Sequence, residues 1–458
     1  MRKTIIAAML AALCAPAFAT ESRNSALQAE SWRILDDTNV KLFPADVVNF
    51  NKAVYGELTG PASTTDDYAG VHVPFGPGVL AIYGGDIPMT SGASALFGNL
   101  GTATPNFPEV PSAIVRNTAV ATAGIPDGRF NAVWGMTLQS GLSLALGAEW
   151  FSQVKEDDKD INMSGTEYSH SDSSSMLGIR GGISLPAGPF QPLTFGLRFG
   201  LPTFSSVTGT TWAGGEKAMY TYESTGGTAI DFNVRGRVKE LVAPGSESFF
   251  YLAYSTGTIN GEGTTTKLQD SNKKDIKDTE KITKDEITVG MSTNHKVGDA
   301  SLAIWALAFK YGTAGHEVEN SIGESFDGYL RTTKTSVLSN TIAVPVTLGF
   351  EMKIFNWLAG RVSSTSSIIN RTTTTATVKA DTTSPVVIIP DMKNKAVRVT
   401  DTSSQNVALG ITLYAGEKLE IDGVISQTLL FNGPYFIGGP VAGTGPGLFT
   451  QVSTTFRF

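Results

Sequence analysis

The sequence predicts an all-β chain closed into a transmembrane, antiparallel, up-and-down barrel. Three features predict it. Apolar residues alternate with polar or small ones along segment after segment, the connections alternate between short and long, and the last alternating segment ends in phenylalanine.

Residues 1–19 read as a cleaved export signal. Arg2 and Lys3 form its basic start, 4–16 are almost wholly apolar, and Ala17-Phe18-Ala19 supply the small residues that a signal peptidase accepts. The apolar run is too short to span a bilayer. Leu13 stands where a lipoprotein signal carries a small residue, which argues against lipidation of Cys14. Cys14 is the single cysteine of the 458 residues, so its removal leaves neither a disulfide framework nor a Cys-based zinc site. The expected location is the outer membrane of a Gram-negative cell.

No later stretch has the roughly 18 uninterrupted apolar residues of a membrane helix. Hydrophobic residues make up 41% of the chain and mean hydropathy is +0.01. A barrel permits such values, because its apolar band occupies only every second residue. The formal charge of −7, with no basic cluster, excludes nucleic acid as an expected partner.

The alternation begins at about residue 79. Phe130, Ala132, Trp134 and Met136 share one face, against Asn131, Gly135 and Thr137; a turn at 139–141 leads to Leu142, Leu144, Leu146, Ala148 and Trp150. The pattern recurs at 177–185, 193–200, 230–239, 342–352 and 407–413, with further strands near 247–256, 284–293, 299–311, 356–366, 418–427 and 449–458. Short turns fall at 139–141, 186–191, 243–247, 295–299, 354–356 and 415–418. Long polar segments lie between them, near 152–173, 201–227, 257–283, 312–341, 367–402 and 428–447. That asymmetry places the short turns in the periplasm and the long connections outside.

Bacterial barrels of this kind use even strand numbers. Taking 79–85 as the first strand gives about fourteen, with 79–458 as the barrel and 20–78 as an N-terminal segment plugging it or lying beneath it. Sixteen strands follow if 52–78 or 86–128 contributes more. Phe456 and Phe458 close the final strand, in the manner of an assembly signal for the barrel-assembly machinery; outer-membrane lipid and lipopolysaccharide are the other expected partners.

The stretch 25–49 contains Asp36-Asp37 and, further on, Pro44-Ala45. It resembles the opening of the FadL/OmpP1 group of outer-membrane hydrocarbon transporters, in which an acidic pair is followed by Asn-Pro-Ala-Gly-Leu. Here Phe43 replaces the Asn and Asp46-Val47 replace Gly-Leu. The PorV-like barrels of type IX secretion open similarly. The resemblance implies a plugged barrel that takes up long-chain fatty acids or other hydrophobic compounds passively; a secretion-type shuttle and a general porin are the alternatives.

If the greasy faces meet lipid, then Glu149, Arg180, Arg198, Asp231, Arg235, Arg237, Glu351, Glu420 and Asp422 face the lumen, because Arg or Lys at mid-bilayer costs roughly 2–4 kcal/mol. They are the candidate ligand-binding residues, and equally a self-neutralising network. Phe204, Trp212, Tyr220 and Tyr222 fall in a predicted long loop. The mixed-charge run 267–286 and the Thr-rich 371–383 also read as solvated loops. Asp36 to Asn39 lack the spacing of a calcium loop, and 261–267 lack that of a phosphate loop. The four histidines, His72, His170, His295 and His316, are isolated, and His170-Ser171-Asp172 on one loop does not make a triad. Neither enzymatic activity, nor a metal, nor a cofactor is expected.

Overall fold

The computed structural model describes residues 21–27, 32–34, 37–59, 68–85, 128–161, 167–211, 217–267, 276–298, 300–322, 330–383, 392–401, 405–416, 419–425 and 449–457. The expected export signal, Asp36, Trp212 and Phe458 lie outside them, as does all of 428–447.

Seventeen strands form one sheet. In order they are β1 (Ala53–Thr59), β2 (Tyr68–Phe75), β3 (Gly78–Gly85), β4 (Gly128–Thr137), β5 (Ser143–Ile161) and β6 (Glu167–Ala187). Then come β7 (Phe190–Thr211), β8 (Lys217–Lys239), β9 (Ser246–Lys267), β10 (Ile276–Val297), β11 (Ser301–Ile322) and β12 (Leu330–Phe355). The last are β13 (Leu358–Thr383), β14 (Met392–Asp401), β15 (Gln405–Ala415), β16 (Leu419–Ile425) and β17 (Phe449–Arg457). Each pairs antiparallel with its neighbour, and the ring closes where β1 meets β17, from Ala53 opposite Arg457 to Thr59 opposite Gln451. β14 pairs with the outer half of β13 and β15 with its inner half, so the two lie end to end as one stave. Counted that way, the ring is a closed barrel of sixteen staves, with β14 as the extra strand.

The ring therefore exceeds the fourteen strands expected. β1 and β2 belong to the wall although the sequence reading left them in the N-terminal segment. Both are short, at 7 and 8 residues, and carry Gly56 and Gly70 where a longer apolar alternation would have marked them.

The wall is apolar outside. Leu146 is 72% exposed, Ile179 63%, Leu197 53% and Leu348 61%, while their sequence neighbours Ala145, Arg180, Arg198 and Thr347 are buried. A one-residue register slip would exchange those faces. Such a surface is stable only against lipid, so the protein is an outer-membrane-type β-barrel.

β5 to β13 run to 19–26 residues, about twice what a tilted strand needs to cross a bilayer. Their outer halves replace much of the expected loop. The His170 stretch is part of β6, Phe204 of β7, Tyr220 and Tyr222 of β8, 276–286 of β10 and 371–383 of β13. Beyond the lipid both faces meet water, so the apolar period disappears while the backbone ladder continues. In β12 and β13 it is reinforced by Ser339–Thr374 and Thr341–Thr372 hydroxyl bonds of 3.0 and 3.1 Å.

Leu197 sits at the centre of the outward apolar run of β7. Leu197→Arg is expected to lower stability by roughly 2–4 kcal/mol, and Thr279→Arg, beyond the apolar band, by about 1 kcal/mol or less. Denaturant titration of barrels folded into vesicles checks both; equal effects would mean that the band is misplaced.

Candidate functional site: the lumen and its N-terminal segment

The described residues between 21 and 50 lie against the inner face of the ring, where their side chains meet inward-facing residues of the wall strands. This N-terminal segment consists of a short helix, Glu21–Ala26, and two 3-10 turns, Asp37–Lys41 and Pro44–Asn49. Pro44 fits the first turn because its fixed φ suits a helical start and its missing N–H has no partner to lose there. Two wall glycines make room. A Cβ on Gly196 of β7 would strike the Leu42 carbonyl, and one on Gly290 of β10 would lie 2.7 Å from the Trp32 ring.

Three apolar clusters hold the segment, the smallest of them Leu27 and Ile34 on Ile304. Val40, Ala45, Val47 and Phe50 pack on Tyr55, Val79, Ala81, Val133 and Ala145 of β1 to β5. Trp32, Leu42 and Phe43 pack on Phe249, Tyr251, Ala253 and Ala308, with Trp32 stacked on Tyr251 at 4.8 Å between ring centroids. Inside the Val47 cluster His72 is satisfied as a neutral ring. Nδ1 donates to the Phe50 carbonyl at 2.6 Å, and the single lone pair of Nε2 faces the hydroxyls of Tyr83, at 2.8 Å, and Tyr55.

Charged sets fill the sectors between these clusters. On β5 to β8, Arg180 stands 3.6 Å from Glu149, Arg198 pairs with Glu149, and Arg198 reaches Asp231 at 3.4 Å. Arg180 also donates to the Val40 carbonyl at 3.5 Å. Arg235 binds Asp46 at 2.6 Å and Asn39, and its guanidinium carbon lies 4.4 Å from the centre of the Phe43 ring. Arg237 pairs with Glu247 at 2.5 Å, nearer the short turns. On β12 to β16, Glu351 accepts two bonds from Arg23, each 3.0 Å, and one of 2.5 Å from Arg361. Arg361 also reaches Asp422 at 2.5 Å and Glu420 at 3.6 Å.

Arg180, Arg198 and Asp231 thus come together in one set. Arg235 is directed at the N-terminal segment, Arg237 stands apart with Glu247, and Glu351 belongs to the second set across the ring. Pro44 and Ala45 open the second 3-10 turn and are buried, with the Ala45 amide close to Gly182 of β6. Asp37 begins the first turn. Phe456 lies in β17 opposite Val54 at the closing seam.

Sequence reasoning named the members of the first set but not Arg361, the centre of the second, nor the residues that the N-terminal segment contributes. Arg361 was within reach, since it shares its face with Ala359 and Ser363 against Gly360 and Val362. Arg23, Asn39 and Asp46 carry no periodic signal. Asp46 was visible only as a departure from a motif.

One further row lies just outside the charges of β5 to β8. Phe151, Met176, Phe204, Ala229, Ile259 and Ile282 turn inward on six successive strands, β5 to β10, and each is 0–3% exposed. Ile259 and Ile282 are directly opposed in register, as are Phe151 and Met176. The Arg198 guanidinium lies 5.6 Å from the Phe151 ring centre, linking the apolar row to the charged one.

Asp46 and Arg235 are both 1% exposed, so Asp46→Ala strands a buried cation and is expected to cost about 3–5 kcal/mol. Arg23→Gln leaves Glu351 with Arg361 and should cost well under half of that. Unfolding midpoints in detergent check the ranking, which a larger loss for Arg23→Gln would overturn.

No protein-family model and no curated protein matches the chain. Among solved structures it is similar to the ferric yersiniabactin uptake receptor FyuA from Yersinia pestis, at 8% identity over 89% of this chain and 80% of that one, with a TM-score of 0.34. It is also similar to the ferric preacinetobactin receptor BauA from Acinetobacter baumannii, at 8% identity over 89% and 79%, with a TM-score of 0.31. The toluene transporter TodX from Pseudomonas putida is 10% identical over 78% of this chain and 96% of its own, with a TM-score of 0.31. At these identities and scores the likeness assigns neither a family nor a function.

Proposed function

We propose that the protein is a transporter and not an enzyme: an outer-membrane barrel, exported by its N-terminal signal, that takes up hydrophobic compounds passively past a lumen-filling plug. The observation that carries this reading is the inward apolar row on β5 to β10. A water-filled channel has a polar interior, whereas here Met176, Phe204, Ile259 and Ile282 form a buried apolar row on the outer side of the charges of β5 to β8. The packed N-terminal segment supports the same reading against an open general porin, since its apolar clusters occupy lumen that a porin leaves to water. The opening with Asp36-Asp37 and Pro44-Ala45, similar to that of the FadL/OmpP1 group, agrees with it.

The charges next to the row fit the same proposal. Arg180 and Arg198 are matched by Glu149 and Asp231, so the set beside the row is self-neutralised. Lipopolysaccharide and the barrel-assembly machinery are the partners such a location requires.

The test is mass spectrometry of organic extracts from protein purified in mild detergent, beside an unrelated barrel treated identically. A specifically enriched fatty acid or hydrocarbon is expected, and a repeated blank would sink the proposal. Met176→Asp places a carboxylate in the row; it should cut retention of that ligand at least several-fold while heat-modifiable gel migration stays that of a folded barrel. Unchanged retention would remove the row from the path.

A further inference from the structure

The N-terminal segment is bound to the wall in two unequal ways. At its 3-10 turns the wall depends on the segment: Arg235 takes Asn39, Asp46 and the face of the Phe43 ring as partners, all three from the segment. Withdrawing the turns would strand that buried cation and expose the two larger apolar clusters. Leu27 extends the anchored part, because it is wholly buried and packs with Ile34 and Ile304.

At the helix the dependence is reversed. Arg23 binds Glu351, but Glu351 is also held by Arg361 of the wall, and Arg361 by Asp422, which accepts from Thr412 at 2.5 Å. Ser22 reaches Glu57 at 3.5 Å, and Glu57 also accepts from Gln451 of β17. Each carboxylate beneath the helix therefore keeps a partner in the wall when the helix leaves. Arg23 and Glu351 side chains are already 20% and 16% exposed, so solvation of the released arginine needs little rearrangement.

We infer that the helix Glu21–Ala26 is a gate, hinged at Leu27, over a hydrophilic lane of lumen wall that conducts water and small hydrated ions. Glu57, Glu351, Arg361, Thr412, Asp422 and Ser453 line the lane; all but Glu351 are buried, and Glu351 is nearly so. Among the described residues this sector of β12 to β1 has no counterpart of the apolar row on β5 to β10, so the lane differs in chemistry from the hydrophobic route and stands or falls separately from it. The gate is held by Arg23 on Glu351, by Ser22 on Glu57, by the 2.7 Å bond from Asn24 to Thr38 of the first 3-10 turn, by the 2.8 Å bond from Ser363 to the Ala26 carbonyl, and by the close seat of Ala26 on Gly410.

Single-channel recording of the full-length barrel in planar bilayers, in potassium chloride, tests the gate. The unmodified protein should conduct in rare events. Arg23→Gln should raise time-averaged conductance several-fold and Arg23→Glu, which sets like charges together, further still. A second preparation carries Ser22→Cys and Glu57→Cys as the only cysteines of the exported chain, bridged by a short bifunctional methanethiosulfonate. The bridged form should be silent, and a reducing agent should restore conduction in the same membrane. Conductance in both Arg23 variants no higher than in the unmodified barrel would overturn the gate, as would a bridged form that conducts as freely as the reduced one. Heat-modifiable gel migration shows in each case that the barrel itself is folded.

Discussion

Backbone hydrogen bonding in lipid is the constraint on which everything else depends. A strand edge facing hydrocarbon leaves its N–H and C=O groups without partners, at several kcal/mol each, so a membrane-spanning sheet must close on itself. Here closure rests on the seam of β1 with β17, a register that holds from Ala53 to Thr59. Closure imposes an inside and an outside, and the strand period of two then sorts every side chain to one or the other. Leu197 and Arg198 are neighbours in sequence and face hydrocarbon and lumen for that reason alone.

The same sorting creates the problem that the N-terminal segment solves. Large inward residues such as Phe249, Tyr251 and Tyr83 need something to pack against, and inward charges need partners. Wall strands supply part of the pairing among themselves, as Glu149, Arg198 and Asp231 do. The segment supplies the rest: Asp46 for Arg235, Trp32 for Tyr251, and Phe50 for the His72 cluster. The interior is packed much as a soluble core is, with a buried ion pair surviving only where its hydrogen bonds are in place.

How much of this was legible follows from where a periodic signal exists. Within the membrane one face must be apolar and the other cannot be, so 193–200, 230–239 and 342–352 could be read as strands with their faces assigned, and with them the inward direction of Arg198, Arg235 and Glu351. Above the membrane the contrast vanishes. Thr372 and Thr374 sit in a strand as regular as any other, yet their stretch reads as loop. Short strands fail for a related reason: β1 and β2 offer too few alternations to outweigh their glycines. The partners were the least legible part. Arg235 could be directed inward from β8 alone, but nothing in the order Asn39 to Asp46 announces that two turns of a non-periodic segment will meet it. A period locates a face, whereas a contact requires knowing what crosses the lumen.

Chain connectivity explains how that crossing is guaranteed. The second 3-10 turn ends at Asn49 and β1 begins at Ala53, so the lumen filler and one of the two closing strands are covalently continuous. Both β1 at Ala53 and β17 at Arg457 meet on the short-turn rim, which places the entry of the segment beside the seam. When β17 pairs with β1, the residues just before Ala53 are held at the rim with Phe50, Val47 and Ala45 facing a wall that already presents Tyr55, Val79 and Val133. Burying that cluster favours the closed register over a slipped one, because a shift of one residue would turn Tyr55 toward lipid and leave Phe50 without its neighbours. The segment thus contributes to the closure that encloses it, and the attachments that the wall cannot replace are made by its two turns, the part nearest β1 along the chain. The helix Glu21–Ala26, about 25 residues further from the seam along the chain, is held by contacts that the wall can replace.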